Sequence, residues 1–263
     1  MKSLQMQSCV HDEGTIECAL FDIDVPAPSD KEVMVKIEAS PINPSDLGLM
    51  FGAADIDSIR ASERNGHPSI VLDVPPPAMR AMATRINEWL PVGNEACGTV
   101  VEAGASPEAQ ALLGKRVALF GGEMYSNYRT ISVFQCIPLA DDTTPEAGAS
   151  CFVNPMTALG FVETMKMEGH TAIVHTAAAS NLGQMLNRIC LNDGVPLVNV
   201  VRTDEPVALL KGQGAEHVVN SADDDFADQL AAAVNATGAT LAFDAIGGGK
   251  LGNAILMAME AGA

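Results

Sequence analysis

Thr171 to Gln184 reads TAIVHTAAASNLGQ, a hydrophobic run that passes through small residues into a helical stretch. Small side chains at such a turn let the backbone approach a diphosphate, whose charge is met by the amides and dipole of the helix N-terminus that follows. The glycine fingerprint of such sites is reduced here to Ala-Ala-Ala-Ser-Asn-Leu-Gly, and a tight strand-to-helix turn without a ligand would use the same residues. The next hydrophobic run, LVNVV at 197–201, ends at Arg202-Thr203, where a site for NAD usually places a carboxylate for the ribose hydroxyls. Arg202 offers fixed donors and a charge suited to a 2′-phosphate, which favours NADPH. NADH is the alternative, with Arg202 solvated at the surface and Asp204 serving the ribose.

A second group of polar residues, Asn43-Pro44-Ser45-Asp46, has the composition of a helix cap or turn, and the Asn43 amide is also a donor that could meet developing oxyanion charge. Tyr125 and Tyr128 read first as packing or edge-strand residues, with a role as general acid as the alternative. Cys9, Cys18, Cys97, Cys136, Cys151 and Cys190 contain no C-x-x-C pair, so they read as reduced thiols and not as a structural zinc lobe. His11, His67, His170, His175 and His217 read as ordinary polar residues and not as ligands.

The elements that must position these groups divide the chain. Up to about Pro138, Glu32–Glu38, Gly98–Ala103 and Arg116–Phe120 are short β-branched runs, as in a β barrel or sandwich. Between them, Ala53–Pro91 reads as an insertion able to cover a site, with three consecutive prolines and then a helix over Ala78–Trp89. After about Asp141, strands at Thr171–Thr176, Leu197–Val201, His217–Val219 and Thr240–Ala245 alternate with helices at Leu182–Asn192, Glu205–Gln213, Asp223–Ala236 and Lys250–Glu260. That alternation predicts a parallel sheet with ligands beyond the carboxyl ends of its strands. Four strands are visible where six are usual, so the sheet is expected to be completed by residues past Ala263 or by another chain.

Composition narrows the function classes. The chain has 263 residues, 48% of them hydrophobic, enough for a sizeable core. Its 33 acidic against 15 basic residues give a formal charge of −18, which repels nucleic acid and anionic membrane surfaces. No run approaches the ~18 to 20 apolar residues of a membrane span, and Met1–Val10 lacks the apolar core of a signal peptide. A cytoplasmic location is therefore expected.

Four segments in order, Pro41-Ile42-Asn43-Pro44-Ser45-Asp46, Gly93-Asn94-Glu95-Ala96-Cys97-Gly98-Thr99-Val100, Asn154-Pro155-Met156-Thr157-Ala158 and the TAAASNLG turn, resemble the zinc-independent quinone reductases of the medium-chain dehydrogenase/reductase superfamily. The resemblance implies a GroES-like β-barrel catalytic domain over 1–140, then a C-terminally incomplete Rossmann domain over 141–263. It also implies a homodimer through an edge strand of the Rossmann sheet. Zinc-dependent relatives place Cys, His and Cys at positions that align with Asn43, Asn94 and Val153; two amides and a valine make no catalytic zinc site, so no metal is expected. By the same resemblance Asn43 and Ser45 stand near the reacting ring and Thr157 lies against the nicotinamide. Ala178, Ala179, Ser180, Asn181, Leu182 and Gly183 cradle the pyrophosphate, with Asn154, Arg202, Thr203 and Ile246 completing the cofactor site.

Without metal, the expected work is placement of reduced nicotinamide against an electron-poor small-molecule acceptor, a quinone or an α,β-unsaturated carbonyl. Enoyl-thioester reductases share the N-P-S-D segment and the V-V-R strand end, yet carry a proton-donating tyrosine where Ala54 stands. A non-catalytic NADPH-binding protein on the same scaffold is the reading from another class. A Rossmann-type methyltransferase would lack the N-terminal β domain.

Overall fold

The computed structural model describes residues 1–262 and divides into two compact units, Met1–Val153 and Asn154–Ala263. In the first, chain order runs β1 (Lys2–His11), β2 (Thr15–Asp24), β3 (Glu32–Ala39), α1 (Pro44–Phe51), β4 (Asp55–Arg64), β5 (His67–Asp73) and α2 (Pro76–Ala81). It continues through β6 (Leu90–Pro91), β7 (Glu95–Ala103), α3 (Pro107–Gln110), β8 (Arg116–Phe120), β9 (Tyr128–Ser132), β10 (Cys136–Pro138) and α4 (Pro145–Ala149).

These strands form two five-stranded antiparallel sheets, β4-β5-β2-β1-β6 and β10-β8-β7-β3-β9. The second is built on alternation: Val33 and Val35 of β3 and Val117 and Leu119 of β8 pack with Val100 and Ile131, all nearly without exposed surface. The sheets are stitched where Met6 N–H donates to Tyr125 O (2.8 Å) and Asn127 N–H to Leu4 O (3.0 Å).

The segment 53–91 departs from the sequence reading. Its first half is the hairpin β4–β5, which extends the first sheet through β5 against β2. The turn is Asn65-Gly66, both with positive φ (53° and 79°), the left-handed pair that a two-residue hairpin loop requires. The helix is shorter and earlier than Ala78–Trp89. Proline at its first positions, with φ fixed, starts α2 at Pro76, and Asn87 at φ 59°, donating its N–H to Val10 O, turns the chain back so that Leu90 and Pro91 pair with β1.

The second unit contains α5 (Val153–Met167, whose first residue lies in the first unit), β11 (Ile173–His175), α6 (Asn181–Asp193), β12 (Leu197–Val201) and α7 (Asp204–Gly212). After these come β13 (His217–Asn220), α8 (Phe226–Thr237), β14 (Leu241–Phe243) and α9 (Gly249–Ala261). The four strands are all parallel in the order β13-β12-β11-β14, the expected alternation with each strand within a few residues of its predicted place. β12 is wholly buried, as a central parallel strand must be, and Val198 and Val200 pack with Leu230 and Val234 of α8 and Ile255 of α9. Sequence reading left α5 without an element, because its face is not cleanly amphipathic.

Candidate active site

In the first unit the site is assembled on the N-terminus of α1. Asn43 is the extended residue before the helix; its backbone N–H donates to Asp46 Oδ2 at 2.8 Å, the carboxylate half of a capping box, and Pro44 follows at the first helical position. The Asn43 side chain points inward, with Nδ2 donating to Glu95 Oε1 at 3.0 Å. Glu95 has no exposed surface, and its other oxygen accepts the backbone N–H of Val153 at 2.8 Å. Asn94, one residue before it, donates from Nδ2 to Ser45 Oγ at 2.7 Å.

Of the three positions that the sequence resemblance aligns with zinc ligands, Asn43 and Val153 donate to buried Glu95, and Asn94 donates to Ser45. They present two amides and a backbone N–H, groups that donate to oxygen anions and do not ligate zinc. Among the described residues, no group of three or more His, Cys, Asp or Glu is gathered as a metal site would need. Ser45 is exposed, and since its oxygen accepts from Asn94 its own proton is free to donate.

The segment before Asn43 is pinned by the connection between β8 and β9. Tyr125 donates its hydroxyl to Pro41 O at 2.9 Å, and Ser40 Oγ donates to Met124 O at 3.1 Å. A Cβ at Gly93, whose φ is 96°, would stand 2.6 Å from the Tyr125 ring, so glycine there is what lets the ring lie beside the Asn94-Glu95 strand. Burial, with the nearby Asp46 charge, pushes the Tyr125 phenol well above its usual range. It is therefore a poor proton donor and a good fastener. Tyr128 stands on β9, an edge strand.

The other end of α1 is capped by side chains. Leu49 O accepts from Arg85 Nη2 (2.8 Å) and Ser8 Oγ (3.0 Å), and Met50 O accepts from Ser8 Oγ (3.2 Å) and Cys18 Sγ (3.0 Å). These satisfy the last carbonyls of the helix, and the Arg85 cation also suits its negative end. The insertion thus braces α1. Ala54 packs half-buried against the cluster of Val10, Ile16 and Leu72.

In the second unit, the TAAASNLG segment is a turn between β11 and α6. Ala177 has φ 51°, and Ser180 caps α6, accepting the Gly183 N–H at 3.1 Å. A Cβ at Gly183 would overlap the Ala178 carbonyl, so only glycine lets the helix start this close to the strand. Ser180 takes the Gly183 amide, and the amides of Asn181 and Leu182, with no acceptor inside the helix, are left for an anion beside the small residues Ala178 and Ala179.

Arg202 follows β12, exposed and with no salt bridge to any described residue. Asp204, the alternative ribose partner, accepts from Asn220 Nδ2 at 3.0 Å, and Thr203 lies exposed as the residue before α7. Ile246 is 62% exposed, but its N–H is already spent on Asp244 Oδ1 at 2.9 Å. Asp244, which the sequence reading did not single out, also accepts from Thr176 Oγ1 (2.8 Å) and the Gly248 N–H (2.5 Å), tying the ends of β11 and β14 together. Burial raises its pKa, but these donors outweigh that and hold the carboxyl below its usual range. Asn154 and Thr157 are half-buried on α5. The turn, the helix end and the unpaired guanidinium fit a phosphorylated dinucleotide.

The sheet order and turn define a dinucleotide-binding fold. No family model matches the chain. Among solved structures, a Mesorhizobium loti protein assigned as an NADPH:quinone reductase is 30% identical, with a TM-score of 0.73 over 98% of this chain and 71% of that one. The chain belongs to the medium-chain dehydrogenase/reductase family. A Bacillus thuringiensis protein with the same assignment, 22% identical with a TM-score of 0.75 over 98% of this chain and 70% of its own, shows the shared fold. The mitochondrial enoyl-acyl-carrier-protein reductase of Xenopus tropicalis is 28% identical over 218 residues, which are 80% of this chain and 53% of that protein. The chain spans about half the length of the curated enoyl reductases it matches. No helix among the described residues is long and apolar enough to cross a membrane.

Proposed function

We propose that the chain is an NADPH-dependent reductase of electron-poor acceptors, a quinone or an α,β-unsaturated carbonyl, working without a metal. The observation that carries this reading is the Asn43 amide fixed on buried Glu95, with the Ser45 hydroxyl beside it, in a chain 30% identical to a protein assigned as an NADPH:quinone reductase. Bound NADPH would supply the hydride. Asn43 and Ser45 orient the acceptor and donate to the oxygen on which negative charge grows, Ser45 through the proton left free by Asn94. The proton consumed comes from solvent through exposed Ser45. Ala178 to Gly183 hold the pyrophosphate, Arg202 and Thr203 the 2′-phosphate end, and Asn154, Thr157 and Ile246 the nicotinamide end.

The enoyl-thioester reading is favoured by the curated relatives, several of which are enoyl-acyl-carrier-protein reductases. Against it, Ala54 packs in an apolar cluster where those enzymes would need their tyrosine. The N-terminal β unit disfavours a methyltransferase.

NADPH and NADH are titrated in parallel by cofactor fluorescence, followed by a panel of quinones, enones and enoyl thioesters. NADPH should bind at least about tenfold tighter, about 1.4 kcal/mol. Arg202→Ala should weaken NADPH far more than NADH; equal weakening of both removes the phosphate role. Tight NADPH binding without oxidation by any acceptor favours the non-catalytic scaffold.

A further inference from the structure

Beside α1 lies an apolar trough that the reading above does not use. It consists of two hollows, of about 410 and 240 Å³, that share Met6 and Met50 as a common wall. The first hollow reaches Ser40 and Ile42, next to Asn43, and runs to Met50 at the far end of α1; it is mixed in character, with Glu38, Tyr125 and Ser126 also in its wall, and the apolar stretch begins at the methionines. The second continues behind the methionines over Leu20 and Ile70, with Pro68 at its rim. At 1.5 Å per residue, an eight-residue helix makes this path roughly 12 Å long before the second hollow begins.

Met6, Leu20, Met50 and Ile70 are each only half-buried, although they stand on or beside one continuous sheet face. Ile70 pairs with Cys18 in the register of the inserted hairpin, so the far wall is this chain's own insertion. Methionine pairs are adaptable walls, able to part around a chain of methylenes. No charged side chain points into the second hollow among its lining residues.

We propose that the trough binds the unbranched alkyl tail of the acceptor, whose electron-poor head lies at Asn43 and Ser45, and that the β4–β5 hairpin sets the tail length accepted. The identity of the head rests on the reductase reading; the tail site does not. A tail seated here loses water from each methylene in turn, so affinity climbs with length until the second hollow is full.

The test uses the full chain and vinyl ketones from methyl to octyl. Their dissociation constants are measured by equilibrium dialysis without nucleotide, and kcat/KM is measured by NADPH oxidation. Affinity should rise about fourfold per methylene, the equivalent of about 0.8 kcal/mol. Ile70→Trp, or Leu20→Trp should the first fail to fold by circular dichroism, should flatten that slope. A flat length dependence in the wild-type protein, or a slope that survives the tryptophan, overturns the tail site. A steep binding slope with no NADPH oxidation by any member upholds the tail site and overturns the reductase reading.

Discussion

The side-chain amide of Asn43 donates to a carboxylate with no exposed surface, and that carboxylate also takes a backbone N–H at the start of α5. Both acceptor oxygens of Glu95 are therefore committed, and the amide they hold has one orientation. Asn43→Ala should lower kcat/KM for the acceptor by about a hundredfold, as loss of one oxyanion donor does. The dissociation constant for NADPH should not move, and a parallel rise in it would show that the substitution has disturbed the fold instead. Asn43 and Ser45 were legible in the sequence because the N-P-S-D segment is a helix cap as well as a family motif. Glu95 was not, since an acid in the GNEACG segment carries no mark of burial until its two partners, 52 and 58 positions away, are brought to it. Arg202 was legible by its place after β12, but only the structure shows that Asp204 is engaged by Asn220.

Among the elements, the β4–β5 hairpin depends on a polar anchor. Glu17 of β2 is buried, and its Oε2 accepts both Nε (3.0 Å) and Nη2 (2.6 Å) of Arg64, with His11 Nε2 at 3.3 Å. Arg64 also lies over the Trp89 ring, 4.9 Å from its centre. Burial alone would raise the Glu17 carboxyl; the bonds and charge of Arg64, with polar His11 and Ser69 nearby, outweigh it and leave the carboxyl below its ordinary value. A carboxyl whose folded pKa lies below its unfolded one, about 4.3, contributes stability that is complete above that value and lost as pH falls through the folded one. Melting temperatures across acid pH should therefore drop steeply in the wild-type protein and less steeply in Glu17→Gln. Identical slopes would mean that the anchor does not titrate as argued. The hairpin itself carried the Asn-Gly signal, yet the polar β4 run, exposed almost throughout, has no alternation to reveal a strand. The Rossmann strands were read correctly because burial leaves them continuously apolar, and α5 was missed because Met156, Leu159 and Met167 are apolar on its exposed side and blur the period of the buried Ala158, Val162 and Met165.

At the scale of the whole molecule, the charge of −18 opposes an anionic nucleotide that the local site attracts. The first acts at long range and the second at contact. Raising salt from about 10 mM to about 150 mM shortens the screening length from about 30 Å to about 8 Å, which should speed NADPH association in stopped-flow fluorescence. A slower association would show that the cations near the site, and not the averaged field, govern approach. The same charge bears on the outer side of β4. That strand ends its sheet, so its outward N–H and C=O groups are an open template on which another chain could add a strand. Asp55, Asp57, Arg60 and Glu63 are the exposed charges along that strand, while Ile56 and Ile59, 59% and 51% exposed, are the residues that would invite addition. The hairpin that lines the tail site is therefore also the open margin of its sheet, and the charges along β4 are what it sets against the strand addition that its exposed isoleucines invite.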